Sequence, residues 1–392
     1  MENNKRKVGW AHCWIILLVV LAVFADLIAN DRPLIACVNG ELHFPVLSTY
    51  SDGFTDQPTH QKQIYNWYEQ TTDWAVWPPV PYDGSSPDLR NANYRSPSEV
   101  QQTGTFARHL LGTDRLGRDV LASLIHGTRV ALLVGFGSVL LSLLIGVPLG
   151  GAAGFFGNTG LRFSRASCWA TAAGISLGLP YAIVCLLPYF DITNLSAQGF
   201  ACVVAISVIG GGIYLLLNQF RKFRVDVSFP LDGIVLQILE LFVNVPGAVF
   251  LIAVVAFIED ASLTTVIVVV GILGWTAVAR FLRAEMLRVR SLPYIEAAYG
   301  GNISSWRILF VHALPNAIGP LLVIAGFMMG SAILLEAFLS FLGIGIPNDL
   351  PTWGSLLRRA REQPSAWWLA VFPGVMLTAT ILAILRIGER KG

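Results

Sequence analysis

Arg283-Ala284-Glu285-Met286-Leu287-Arg288-Val289-Arg290-Ser291-Leu292-Pro293-Tyr294-Ile295-Glu296-Ala297-Ala298-Tyr299-Gly300-Gly301-Asn302 is the most informative stretch of this chain. It reads as a short helix with small residues on one face, closed by a glycine turn. A second amphipathic helix with Trp306, Ile308, Leu309 and Phe310 follows, before His312-Ala313-Leu314-Pro315-Asn316. Apolar runs flank the stretch, Leu263 to Leu282 before it and Ala313 to Ala337 after it. A helix needs about 20 mainly apolar residues to cross a hydrocarbon core about 30 Å thick, and both runs are long enough. The stretch therefore connects two membrane spans. Ala297 and Ala298 permit close approach, so a compact helix-turn-helix here suits a partner's groove. A solvated interfacial loop is the other reading of the same residues.

Composition extends this reading to the whole chain. Of 392 residues, 54% are hydrophobic and 13% charged, against about 25% charged in a typical soluble domain. The mean hydropathy is +0.60. These values exclude an ordinary soluble protein and a disordered chain, and a net charge of +2, from 27 basic and 25 acidic residues, argues against nucleic acid as a partner. A polytopic, all-α membrane protein remains. Eight spans are predicted: Trp10 to Ala29, Arg129 to Phe156, Ser167 to Pro188, Gly199 to Asn218, Leu231 to Ile258, Leu263 to Leu282, Ala313 to Ala337 and Ala366 to Ile387. The first follows a short N-terminus, residues 1–9, with Lys5, Arg6 and Lys7. Its apolar run is too long for a secretory signal, and Ala29-Asn30-Asp31-Arg32-Pro33 makes a poor cleavage site, so it reads as a retained anchor.

An even number of spans puts both termini on one side, and the basic residues choose that side. With Lys5 to Lys7 cytoplasmic, the inner connections also hold Arg162 and Arg165, then Arg221, Lys222 and Arg224, then Arg280, Arg283, Arg288, Arg290 and Arg307, then Arg386, Arg390 and Lys391. The short outer connections Tyr189 to Gln198 and Glu259 to Ser262 hold no Lys or Arg. The positive-inside rule thus predicts cytoplasmic termini. The segment 30–126 is external, rich in Trp, Tyr, Pro, Asp and Asn, and long enough to cross regardless of its own Arg90, Arg95, Arg108 and Arg115. A second external segment, Ser340 to Ser365, is re-entrant in character and carries Arg358, Arg359 and Arg361. Of five cysteines, Cys13, Cys168, Cys185 and Cys202 lie in predicted spans and Cys37 outside, with no metal-ligand spacing such as CxxC.

Glu296-Ala297-Ala298, with Leu314-Pro315-Asn316 at the right distance, resembles the EAA coupling motif of ATP-binding-cassette importer permeases of the oligopeptide, dipeptide and nickel family. Where that family places a glycine, six residues after the Glu, this sequence has Asn302 behind Gly300 and Gly301. Asn tolerates the left-handed backbone better than other non-glycine residues, so the turn is expected to survive. Gly112-Thr113-Asp114-Arg115-Leu116-Gly117-Arg118-Asp119 is similar to the family's GTDxxGRD signature before its second span. Gly146, Gly150 and Gly154 follow at i, i+4 spacing, a row that suits either close helix packing or a lining for the pathway. Asp232, Glu240 and Pro246 match the acidic, acidic, proline spacing of the third span. Leu335-Glu336-Ala337-Phe338-Leu339-Ser340-Phe341-Leu342-Gly343 resembles the fifth-span signature. Phe24-Ala25-Asp26-Leu27 and the enlarged outer segment look like the microcin C and peptide uptake branch.

The resemblance implies a type I permease fold of six core transmembrane helices over 129–387, in the bacterial cytoplasmic (inner) membrane, with a cytoplasmic coupling loop at about 283–312. It departs from the family between Gly157 and Asp232, where about seventy extra residues hold two apolar runs; these read as an inserted hairpin at about 159–228. Gly210-Gly211-Gly212 lies in one of those runs without the Lys and Ser/Thr of a phosphate loop, and reads as helix packing. Ionisable residues in or near spans, Glu240, Glu336, Arg280 and Glu285, are functional candidates. Glu240 suits pathway lining, a helix-to-helix pair or a structural hydrogen bond, while Arg280 and Arg283 suit snorkelling to the inner interface.

No Walker A or HExxH sequence occurs, so no hydrolytic activity and no cofactor are expected of this chain. The resemblance implies a heterodimer with a second permease subunit, two cytoplasmic ATPase subunits and an external solute-binding protein. Transport is then by alternating access, with a peptide-like substrate, or alternatively nickel or another small solute. A secondary transporter would show an inverted repeat, which the halves lack; a membrane-anchored interaction protein would leave the Glu296 motif idle.

Overall fold

The computed structural model describes residues 9–46, 73–102, 108–186, 195–220, 225–244, 246–257, 262–345, 347 and 350–389. The basic clusters Lys5 to Lys7, Arg221 to Arg224 and Arg390 to Lys391, together with Trp67, lie outside the described residues, as does most of the outer connections at Tyr189 and Glu259. Among the described residues, four helices are long and apolar enough to cross a membrane: Val120–Phe156, Leu263–Val289, Ser305–Leu342 and Trp368–Gly388.

The chain divides into two compact units. The first comprises Met1–Val147, Phe242–Phe281 and Pro315–Gly392. Helix α1 (Trp10–Val23) is broken at Phe24 and resumes for one turn, α2 (Ala25–Ile28), so the first predicted span is helical in two pieces. Leu18 of α1 is fully buried, and Trp14 Nε1 donates to Thr380 Oγ1 at 3.2 Å. The segment after α2 contains a small antiparallel sheet of β1 (Ile35–Val38), β2 (Glu41–His43) and β3 (Trp74–Val76) in the order β2-β1-β3. Its hairpin turns on Asn39 and Gly40, both at positive φ (53° and 80°), as a two-residue turn with the twist of its strands requires.

Helix α3 (Val120–Phe156) follows, 37 residues long and therefore about 55 Å at 1.5 Å per residue, well beyond one bilayer crossing. Its N-terminal half packs with parts of the later helices α8 (Leu263–Val289), α10 (Leu314–Leu342) and α12 (Trp368–Glu389). The re-entrant segment between α10 and α12 carries α11 (Trp353–Glu362), started by a capping box in which Thr352 and Ser355 satisfy each other's backbone N–H. Trp353 is fully buried and donates to Leu124 O at 3.0 Å, while Gly354 lies so close to α10 that a Cβ would fall 2.2 Å from Ala337 O.

The second unit comprises Pro148–Leu241 and Leu282–Leu314. Here α4 (Arg165–Leu186) and α5 (Leu195–Leu217) form the helical hairpin, packed where a Cβ on Gly174 would stand 3.0 Å from Gly210 Cα. Its base is closed by β4 (Arg162–Ser164) paired antiparallel with β5 (Asp226–Ser228), Ser164 opposite Asp226. The predicted single span Leu231 to Ile258 is instead two helices, α6 (Leu231–Val243) and α7 (Gly247–Phe257). Pro246 accounts for the break, since it lacks an N–H and its ring disfavours the helical region for the residue before it.

Candidate functional site

The stretch that opened the sequence reading builds the first site. Pro293 begins α9 (Pro293–Gly300) at N1, where its fixed φ suits a helix and its missing N–H costs nothing. Ile295 turns inward at 0% exposure, and Met286, Val289, Ile308 and Leu309 of the flanking segments are buried too. Glu296, Ala297, Tyr299, Gly300 and Gly301 are exposed. The helix ends in a left-handed cap: Asn302 has φ 54°, its N–H donates to Tyr299 O (3.1 Å), and Ile303 N–H donates to Ala298 O (3.3 Å). This is the Schellman arrangement, with Asn standing where glycine is usual.

The expected second amphipathic helix is not separate. After one turn at Ser305–Arg307, the backbone widens to a π-helical stretch, Ile308–Ala313, that runs directly into α10. Aromatic rings bind the patch to the inner end of α3: Phe155 stacks on Tyr299 (6.4 Å between centroids), Phe156 meets Trp306 edge-on (4.9 Å), and Trp306 stacks on Phe310 (6.0 Å). Arg290 Nη1 reaches the carbonyls of Gly154 and Phe155 at 3.4 and 3.5 Å, where the α3 dipole is negative. Arg283 grips Asp232, the first-turn acid of α6, with both Nε and Nη2, the latter at 2.7 Å from Oδ2. The result is an exposed patch of small and aromatic residues on a firmly anchored base.

The second cluster is at the start of α3. Asp119 caps the helix, its Oδ1 accepting from Ala122 N–H at 2.6 Å. Its Oδ2 meets His109 Nδ1 at 2.9 Å, and His109 Nε2 lies 3.3 Å from Asp88 Oδ2. Both ring nitrogens face carboxylate oxygens, so the imidazole is a double donor. Burial opposes its charge, but the hydrogen bonds it donates to Asp119 and Asp88 prevail and hold its pKa up at about 9. Tyr82 stacks on it at 4.0 Å and is itself pushed up to about 12, by burial and then by Asp88 and Asp119. Asp114 accepts from Leu116 N–H (2.8 Å) and Arg118 N–H (2.9 Å) and pairs with the buried Arg359 at 2.9 Å. Thr113 O accepts from Trp368 Nε1 at 3.0 Å. Gly117 is at φ 82°, and a Cβ there would fall 1.8 Å from Asp88 O. The Gly112 to Asp119 signature is thus a folding knot that fixes the start of α3.

Comparison with known proteins decides the family. Residues 224–390 match the model of the binding-protein-dependent transport system inner membrane component. The chain is 30% identical to the di/tripeptide transport system permease protein DppC of Pseudomonas aeruginosa, over 79% of this chain and 78% of that one. The chain belongs to the ATP-binding-cassette importer permeases. It is 25% identical to the inner membrane ABC transporter permease protein YejE of Escherichia coli, across 99% of this chain and 92% of that one. Among solved structures, an inward-facing MetNI methionine ABC transporter aligns at 15% identity and a TM-score of 0.43, over 68% of this chain and 94% of that one.

The permease is a multi-pass inner-membrane protein of mostly helical fold. Its sequence-predicted residues fall in several places. Leu314 and Pro315 are the first residues of α10 rather than part of the exposed Glu296 patch. Gly146, Gly150 and Gly154 are buried: a Cβ on Gly146 would fall 2.6 Å from Val278 Cβ, and one on Gly154 2.5 Å from Arg283 O. At Gly146 and Gly154 the row packs against α8. Glu240 is exposed, because Val235 and Leu239 take the buried face of α6, and Pro246 is exposed too. Glu336 is buried at 1% exposure and accepts from Ser340 Oγ at 2.8 Å. Arg283 was expected to snorkel, and instead it pairs with Asp232. His109, Asp88, Trp353 and Trp368 were missed; the only local hint was that His109 and Asp119 bracket the signature.

Proposed function

We propose that the permease carries peptides or peptide-like solutes inward by alternating access, as one half of a heterodimer with a second permease subunit. Two cytoplasmic ATPase subunits supply the energy and an external solute-binding protein delivers the substrate. The peptide class rests on the relatives, whose names include di/tripeptide, glutathione and peptidoglycan transport systems. Both termini are cytoplasmic, and the core is the six-helix type I arrangement, with the α4–α5 hairpin as an addition.

One observation carries this reading: the exposed Glu296 to Asn302 patch, held on buried Ile295, Ile308 and Leu309. A small, rigid, solvent-facing helix with Ala and Gly on its surface fits a groove on another protein, and its anchored base transmits a push. ATPase closure then drives Ile295 to Phe310 and, with it, the inner ends of α3 and α8. The test is co-purification with the ATPases and ATP-dependent tripeptide uptake for Glu296→Ala, an exposed position whose change spares the fold. Both should fall about tenfold, a loss of roughly 1.4 kcal/mol; unchanged binding together with unchanged uptake sinks the proposal.

A further inference from the structure

We infer that the Asp232–Arg283 ion pair is the joint through which the coupling segment moves α6, with Arg283 as its positioning residue. This rests on the importer reading above. Two contacts meet at Arg283, and a third joins its helix to α9. Its guanidinium fork takes both carboxylate oxygens of Asp232, and the two side chains are only 21% and 14% exposed. Its backbone carries the inner end of α3, since a Cβ on Gly154 would lie 2.5 Å from Arg283 O and 3.0 Å from its Cα. Further along α8, Met286 and Val289 are fully buried, and α9 is tied to the end of this helix by Leu292 N–H donating to Val289 O at 3.1 Å.

A bidentate fork resists rotation as well as separation, because two parallel bonds must be lost together. A displacement of α9, passed to α8 through this turn, therefore reaches α6 through the ion pair and α3 through the glycine contact. The same end of α6 is stayed by Asn158, whose Oδ1 accepts from Gly233 N–H at 2.9 Å. Asp232 and Gly233 stand at the N-terminus of α6, so a pull there shifts the helix as a rod towards its exposed Glu240.

The experiment uses the complete importer in proteoliposomes, with the second permease, both ATPases and the binding protein, and radiolabelled trialanine as the probe. ATP hydrolysis and uptake are measured in the same vesicles. For Asp232→Asn and Arg283→Gln, the ATPases stay bound while uptake per ATP hydrolysed falls about tenfold. Exchanging the charges, Asp232→Arg with Arg283→Asp, restores about a third of it, as a direct pair requires. An unchanged ratio in the single variants overturns the inference. So does an exchanged pair that assembles with a wild-type melting temperature yet transports no better than either single variant, and that comparison stands even where a single variant fails to fold. Wild-type vesicles that show no ATP-dependent trialanine uptake would instead overturn the importer reading.

Discussion

His109 and Asn302 show how single positions are fixed by different physics. His109 is charged when seated between Asp88 and Asp119, with a pKa raised from 6.5 to about 9. A pKa raised on folding contributes stability that is complete below the unfolded value and is lost as pH rises through the folded one. Asp88 shifts the other way: burial would raise it, but the His109 and Asn91 hydrogen bonds lower it, so its contribution fails only in acid. The melting temperature of the purified permease should therefore decline between about pH 6.5 and 9. His109→Gln, which keeps a hydrogen-bonding side chain without the charge, should start lower and stay flatter over that window; parallel curves for the two proteins would disprove the assignment. His109 could not be read from sequence, since a lone histidine does not reveal two carboxylates brought to its two nitrogens. Asn302 could be read, because its left-handed φ of 54° is a local demand of the helix end that precedes it.

Elements in this permease are set by where backbones touch. The spacing of Gly146, Gly150 and Gly154 suits packing or a pathway equally, and at Gly146 and Gly154 the contact with α8 is one of packing. Gly154→Val forces a side chain onto Arg283 O and Met286 Cβ, an overpacking cost of about 1–3 kcal/mol. Gly211 and Gly212 in α5 have nothing within 4 Å of a built Cβ, so Gly211→Ala should be neutral or gain up to about 1 kcal/mol from helix propensity. Melting temperatures in detergent would check both, and a Gly154→Val protein as stable as Gly211→Ala would contradict the packing. The break between α6 and α7 had its signal in Pro246, but hydropathy averaged across it, joining two short apolar helices into one span.

Across the whole chain, the α4–α5 hairpin is the clearest case of an element closed upon itself. Its helices pack on each other, β4 and β5 pair at its base, and Asn158 ties its entry to its exit at Gly233. Ser164 and Asp226 are opposite partners in that ladder, so a two-residue Asn-Gly turn can join them in place of 165–225. Removing two spans together leaves the orientation of everything downstream unchanged. The shortened permease should reach the membrane, bind its ATPases and retain at least about half of wild-type uptake; loss of uptake in a normally assembled complex would show that the hairpin takes part in transport.

What the sequence by itself determined was what is governed by short range: membrane residence from apolar runs, the helix cap at Asn302, and the family from its motifs. Hydropathy, charge bias and turn preference act within about 20 residues, and such windows are visible in one dimension. Only the tertiary structure decided that the Gly112 to Asp119 signature is a folding knot, because Thr113 and Trp368 meet across 255 positions. It alone joined Arg283 to Asp232 and Asp114 to Arg359. A charge near a span has many possible partners in sequence, and only chain closure selects the one near enough to offset the cost of burying it.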